Sequence, residues 1–270
     1  MAIPVRDSVP VRRTPWVTYL LIAANVVIFL FTPVARIAGV ETVNLDSRCE
    51  LEEFYDRYAA IPQEMLHNRQ LPDAATGEVS VGERGAGCVI GPPEYVKIPV
   101  LSVLTAMFLH GSWLHLLGNM LFLWVFGNNI EDRLGRPRYL LFYPLCGYVA
   151  AYGFALANPD SVEALVGASG AISGVLGAYL VFYPRARITS LVPVLLFLPV
   201  RLPAWLVLGI WFAVQWLYSA GYANTDGGSV AYLAHALGFV TGVLVAIPIR
   251  KQRPREPRQR RQIRRSRGGP

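Results

Sequence analysis

Ser169 stands in the run Gly167, Ala168, Ser169, Gly170 at the head of one apolar segment, and His235 stands near the head of another. A serine hydroxyl is a weak nucleophile until a neighbouring base takes its proton, and histidine is the side chain that most often does so. The two residues are the minimum for nucleophilic hydrolysis through an acyl intermediate. A third apolar stretch carries His110, His115 and Asn119. On one continuous helix His115 and Asn119, four apart, share a face, whereas His110 points about 140° away from His115. His115 and Asn119 are therefore expected to offer two side-chain donors to a developing oxyanion. His110, nearer the outer end, is expected to brace the outer loop.

All these polar groups lie in chain that reads as membrane. The 270 residues are 53% hydrophobic and only 16% charged, with a positive mean hydropathy, against about 25% charged in an ordinary soluble domain. Apolar runs long enough for a bilayer core fall at roughly 16–35, 99–126, 138–157, 166–184, 203–221 and 230–249. Polar side chains inside such runs are candidate functional groups by default. The fold class expected is an all-α membrane protein, a six-transmembrane-helix bundle with a long outer loop between the first and second helices.

Charge between the runs sets orientation. Arg6, Arg12 and Arg13 precede the first, Arg185, Arg187 and Arg201 lie between the fourth and fifth, and ten Lys/Arg against Glu256 alone follow the sixth. Residues 36–98 hold eleven acids against six bases. By the positive-inside rule both termini are cytoplasmic and the acidic loop is outside, which suits a plasma (inner) membrane. The organisation expected is a cytoplasmic segment 1–15, a membrane domain 16–249 with its outer loop at about 36–98, and a basic disordered tail 250–270. A cleaved signal peptide is the other reading of the first run, but no small-residue cleavage site follows Thr32, Pro33 and Val34. The basic excess of the tail fits anionic lipid headgroups better than a nucleic-acid arm, so membrane lipid is an expected partner and nucleic acid is not.

Within the outer loop, Leu51, Phe54, Tyr55, Tyr58, Ile61, Met65 and Leu66 have the spacing of a short amphipathic helix over Glu50–Asn68. Residues 69–97, rich in Gly, Pro and charge, read as irregular. Cys49 and Cys88 share this loop, where an oxidising compartment allows a bridge, while Cys146 lies in the third run. Residues 188–200 are apolar but interrupted by Pro193 and Pro199, too short and broken for a span, and read as interfacial or packed on protein. No Cys/His spacing resembles a zinc site and no Gly-rich loop a phosphate cradle, so no metal or cofactor is expected.

The spans place the reactive residues together. The fourth enters from outside near Val166 and the sixth near Val230, so Ser169 and His235 sit at matching depth, within roughly 10 Å of the outer interface. Ser169, Ser173 and Gly177 form one small-residue ridge, Gly170 and Gly174 another, and Ala234, Gly238 and Gly242 a third on the sixth span. Such ridges let helices approach closely; alone they are as consistent with packing as with chemistry. Asp132 is 17 residues from His115, about 25 Å along a helix, so a Ser/His dyad without a carboxylate is the expected arrangement.

The chain resembles the rhomboid intramembrane serine proteases. The resemblance rests on His110, His115 and Asn119 as HxxxxHxxxN, on Gly167, Ala168, Ser169 and Gly170 as GxSG, and on Ala234, His235 and Gly238 as AHxxG with Gly242 beyond. It covers roughly residues 99–245. It implies Ser169 as nucleophile and His235 as base and then acid. The Ser169 backbone N–H, His115 and Asn119 would form an oxyanion hole, and Gly167 and Gly170 would give a substrate backbone room. The implied substrates are single-span or other transmembrane proteins cut in or near their membrane segments. Leu101 and Ser102 stand where some members have Trp-Arg, and Ser173 stands where some have an aromatic that stacks on the histidine, which leaves the restraint on His235 open. Trp205, Phe212 and Trp216 on the fifth span are candidates for a lateral gate, or simply packing. A proteolytically inactive rhomboid-like protein that binds membrane clients is the alternative; its signature, loss of Ser or His, is lacking. A transporter would show broken midplane helices or an intramembrane charge.

Overall fold

The computed structural model describes residues 3–37, 44–82, 85–192, 197–220 and 231–251. The tail expected to be disordered and lipid-associated lies almost wholly outside them, as does Val230.

In chain order the elements are β1 (Ile3–Asp7), α1 (Trp16–Leu30), α2 (Pro33–Ile37), α3 (Leu45–Tyr58), α4 (Pro62–His67), β2 (Ala74–Gly82), β3 (Gly85–Gly91), α5 (Pro99–Ala106), α6 (Trp113–Phe122), a π-helical turn (Leu123–Gly127), α7 (Asn128–Leu134), α8 (Arg136–Ala157), α9 (Ser169–Phe182), β4 (Arg187–Val192), β5 (Leu198–Pro203), α10 (Ala204–Ser219) and α11 (Tyr232–Ile249). Helices α8 and α11, of 22 and 18 residues, are long and apolar enough to cross a bilayer, while α1, α9 and α10 are shorter apolar helices.

The centre of the fold is the α9–α11 contact, made backbone to backbone. A Cβ at Gly238 would fall on the Gly170 carbonyl, one at Gly242 on the Gly174 carbonyl, and one at Gly177 on the Phe239 carbonyl. The small-residue ridges read from the sequence meet here. Helix α8 packs behind the pair: a Cβ at Gly174 would overlap Cys146, and one at Gly170 would reach the Ala150 Cβ at 2.8 Å. Around this seam Val175, Leu176, Tyr179, Phe126 and Tyr139 are fully buried.

The apolar run 99–126 is not one helix. Helix α5 stops at Ala106, and α6 starts afresh at Trp113 with Ser112 as its N-cap, the hydroxyl accepting from His115 N–H at 3.1 Å. From there α6, the π turn and α7 run on without a break to Leu134. The chain leaves that rod beside the start of α1. The α1 N-cap, Pro15, has no capping side chain. Buried Glu131 takes that role from α7, accepting from Val17 N–H at 3.1 Å, Thr18 N–H at 2.8 Å and the Thr18 hydroxyl at 2.8 Å. A carboxylate facing the unpaired N–H groups of a helix start is favourable through both hydrogen bonds and the helix dipole.

The fold is not purely helical. The segment 188–200, read as apolar and interfacial, contributes β4 and β5, and β1 from the N-terminal segment completes an antiparallel sheet of order β1-β4-β5. This sheet sits at the far end of α9 from Ser169, where Asp7 accepts from the Tyr179 hydroxyl and, at 2.7 Å, from Asn129 Nδ2. Over Glu50–Asn68 the expected single helix is two, α3 and α4, parted at Ala59–Ile61. The stretch expected to be irregular forms the β2–β3 hairpin. Cys49 of α3 and Cys88 of β3 are joined by a disulfide. Lys97 and Glu64, both buried, form an ion pair at 2.6 Å, and Lys97 Nζ also donates to the Asp56 carbonyl at 2.7 Å. Burial pushes the Lys97 ammonium below its ordinary pKa, with the Glu64 bond opposing.

Candidate active site

Helix α9 begins at Ser169 itself. Its 14 residues span about 21 Å, short of a bilayer core of about 30 Å, and a non-helical stretch leads the chain into Ser169. That entry is pinned. Ala60 and Leu165 form a two-way bridge, 3.2 and 2.7 Å, from the α3–α4 junction, and Gly167 N–H donates to the Ala106 carbonyl at 2.8 Å. Gly167 has φ +116°, a left-handed value that disfavours a Cβ. A Cβ there would also meet His115 Cε1 and Nε2 at 2.8 Å. Glycine is required on both counts. As the first residue of the helix, Ser169 has a backbone N–H with no partner inside α9.

His235 lies in the first turn of α11. Its Nε2 is 2.7 Å from Ser169 Oγ, and its Nδ1 is 2.8 Å from Gln215 Oε1 on α10. The Trp211 ring lies 6.3 Å from the imidazole at a 33° tilt, and Tyr232 meets it edge-on at 6.4 Å. Ser173, in place of a stacking aromatic, donates to the Ser169 carbonyl at 2.6 Å. The restraint on His235 that the sequence leaves open comes from α10 and from its own helix.

His115 and Asn119 face the same space. Gly111 N–H approaches His115 Nδ1 at 3.4 Å, which makes Nδ1 an acceptor and puts the ring proton on Nε2, the atom beside Gly167. Asn119 is buried, and its Nδ2 has no hydrogen-bond partner among the described residues. Ser169, His235, His115, Asn119, Gln215 and Trp211 line one cavity of about 710 Å³. Its lining has no acidic residue among those described. No group of three or more His, Cys, Asp or Glu that could hold a metal ion occurs among the described residues.

Other sequence-derived candidates sit elsewhere. His110 precedes α6 rather than riding on a continuous helix, so the 140° argument does not apply to it. It is fully buried, and its ring packs edge-on against His115 at 5.0 Å. Gly170 faces Ala150 of α8, and Gly238 faces the Gly170 carbonyl; both serve helix packing. Ala234 borders a small separate cavity of about 50 Å³ behind Ser169. Of the fifth-span aromatics, Trp205 and Trp216 are more than half exposed and Phe212 stacks on Phe239; the residue that lines the cavity is Trp211. Gln215 is what sequence reasoning misses. Its signal is a carboxamide between Val214 and Trp216 in an otherwise apolar helix, the same kind of signal that singles out Asn119.

A serine and a histidine joined head to head inside an apolar helical protein, with the Asn119 amide unpartnered among the described residues, suit a membrane protein with a hydrolase-like site. The rhomboid domain model matches residues 99–252, more than half of the chain, and this protein belongs to the rhomboid family, integral membrane proteins of helical fold. It is 32% identical to the mitochondrial Rhomboid protein 1 of Saccharomyces cerevisiae, over 60% of this chain and 46% of that one. It is 30% identical to the Rhomboid protease GlpG of Yersinia pestis, over 52% of this chain and 44% of that one. With RHOMBOID-like protein 5 of Arabidopsis thaliana it shares 27% identity, over 65% and 53%. The chain spans about half the length of the curated relatives it matches.

Proposed function

We propose that this protein is an intramembrane serine endopeptidase that hydrolyses peptide bonds in or near transmembrane segments of other membrane proteins. The observation that carries the reading is the 2.7 Å Ser169 Oγ to His235 Nε2 contact on a cavity shared with His115 and Asn119. Ser169 Oγ attacks the scissile carbonyl while its proton passes to Nε2. The carbonyl oxygen becomes an oxyanion that accepts from Ser169 N–H, His115 Nε2–H and Asn119 Nδ2–H. Collapse of the tetrahedral species breaks the C–N bond, and the proton on Nε2 leaves with the amine. Water then repeats the cycle on the acyl-serine. Six membrane crossings with both termini cytoplasmic, in the plasma (inner) membrane, open this cavity to the outer side, where water is at hand for that second half.

The test uses purified protein in detergent with a single-span substrate and a fluorophosphonate probe. Wild type is expected to cleave and to label; Ser169→Ala and His235→Ala are expected to lose more than about 10³-fold in turnover. Asn119→Ala is expected to lose less, about 10- to 10³-fold, because two other donors remain. Wild type that neither cleaves nor labels would leave a membrane-client binding protein instead, and dyad variants that keep full activity would refute the roles given to Ser169 and His235.

A further inference from the structure

Helix α10 is apolar along its length except for Gln215 and, near its end, Ser219. Gln215 is only 4% exposed, and a carboxamide in such a place is unfavourable unless it has a polar partner. Its Oε1 lies 2.8 Å from His235 Nδ1. A carboxamide oxygen only accepts, so this contact requires the imidazole proton on Nδ1. Nε2 then presents a lone pair to the Ser169 hydroxyl, 2.7 Å away. The opposite tautomer would place an N–H against Ser169 Oγ, and no base would be present. Trp211 and Tyr232 restrict the tilt of the ring, but neither tells its two nitrogens apart.

We propose that Gln215 is a positioning residue for the hydrolysis described above, holding His235 in the one tautomer and ring plane in which Nε2 can act as base. The inference rests on that reading of Ser169 and His235. The Nδ1 proton stays on the ring throughout: Nε2 gains the serine proton, the ring becomes an imidazolium, and Nε2 passes the proton to the leaving amine. In a Ser-His-Asp triad a carboxylate occupies the Nδ1 position and also stabilises the imidazolium by charge. Gln215 supplies the orientation without the charge. The titratable side chains that face the imidazole among the described residues are His115 from α6, Ser169 from α9 and Tyr232 from α11; α10 offers none there.

The experiment compares wild type, Gln215→Leu and Gln215→Glu. It reads kcat and KM on a single-span substrate between about pH 5 and pH 9, thermal unfolding, and the ring-nitrogen ¹⁵N shifts of His235. Wild type is expected to carry its ring proton on Nδ1. Gln215→Leu should lower kcat on the order of 10²-fold with KM within about twofold and an unchanged unfolding midpoint. Gln215→Glu should recover most of kcat, with the acidic limb of its profile moved to higher pH because a carboxylate favours the imidazolium. A Leu variant with wild-type kcat, a Glu variant no better than Leu with an unmoved limb, or a wild-type His235 protonated on Nε2 alone overturns the proposal. The nitrogen shifts are read on wild type, so that arm stands even if a variant fails to fold. Activity that is lost in Ser169→Ala but untouched in Gln215→Leu removes Gln215 only, whereas an inert wild type removes the protease reading with it.

Discussion

Replacing Gly238 by alanine is expected to disable the site without touching a reacting atom. Gly238 is three residues beyond His235 on α11, and its missing Cβ faces α9 one residue beyond Ser169. An added Cβ would fall on the Gly170 carbonyl oxygen, with the carbonyl carbon at 3.0 Å and the Ser173 Cβ at 3.3 Å. Carbon contacts settle at about 3.5–4.0 Å, and the obstacle is helix backbone, which cannot rotate away. The helices must part locally by on the order of 1 Å. Added along the 2.7 Å Ser169–His235 contact, that takes the pair to roughly 3.7 Å, beyond hydrogen-bond reach. A misplacement of this size lowers turnover by about 10²-fold, and the overpacking costs about 1–3 kcal/mol of stability. The measurement is kcat on a single-span substrate together with the unfolding midpoint in the same detergent. Gly153→Ala is the control: its Cβ would meet only the Cδ1 tip of Leu237, at 2.5 Å, a side chain that can turn aside, and it is expected to keep near-normal turnover. Wild-type kcat in a folded Gly238→Ala protein would refute the claim that close backbone packing sets the Ser169–His235 distance.

Two further outcomes concern the parts that hold the frame. Burial raises the Asp7 carboxyl above its ordinary 3.8, against the lowering effect of the Tyr179 hydroxyl. The folded state therefore keeps a proton that the unfolded chain has released, and the contribution of Asp7, full below about pH 4, is lost as pH rises through its folded value. Asp7→Asn should match wild type in thermal midpoint near pH 4 and exceed it at about pH 7; a wild type that gains on the variant with rising pH contradicts this. The Cys49–Cys88 bridge closes a separation of 39 residues, worth about 4 kcal/mol in chain entropy. Cys88→Ser should therefore expose α3 and the β2–β3 hairpin to limited proteolysis and faster hydrogen exchange. Unchanged protection, or both thiols alkylating in non-reduced membranes, would refute it.

The helical membrane character was legible because a bilayer leaves the backbone few options: an apolar run of sufficient length is a helix, since its N–H and C=O groups have no other partner there. Apolar chain that finds another partner escapes this constraint. Residues 188–192 and 198–203 are apolar for packing in a sheet whose third strand, β1, lies some 180 residues away in sequence, a pairing no local pattern records. The continuous hydropathy of 99–126 likewise hides a break at Met107–Ser112, marked by Gly111 and by Ser112, an N-cap residue three before His115. That break decides the site. It frees His110 from the helix to pack edge-on against His115, and it gives the α5 end, whose Ala106 carbonyl anchors Gly167, a place beside the start of α9.

Gln215 was hidden for a different reason. A search for a triad looks for a carboxylate, and the cavity lining has none among the described residues. While His235 is neutral, a charge on α10 would have no cation beside it among the described residues that line the cavity, and burying it there would be more costly than burying a carboxamide. A neutral acceptor performs the part of the task that geometry demands, selection of the tautomer, at a smaller desolvation penalty. The small-residue seam follows the same logic: with α9 and α11 held backbone to backbone, His235 is already within 2.7 Å of Ser169, and only its orientation remains to be set. In this fold distance comes from glycine and orientation from glutamine, so the two can be broken separately: Gly238→Ala should lower activity and stability together, and Gln215→Leu activity alone.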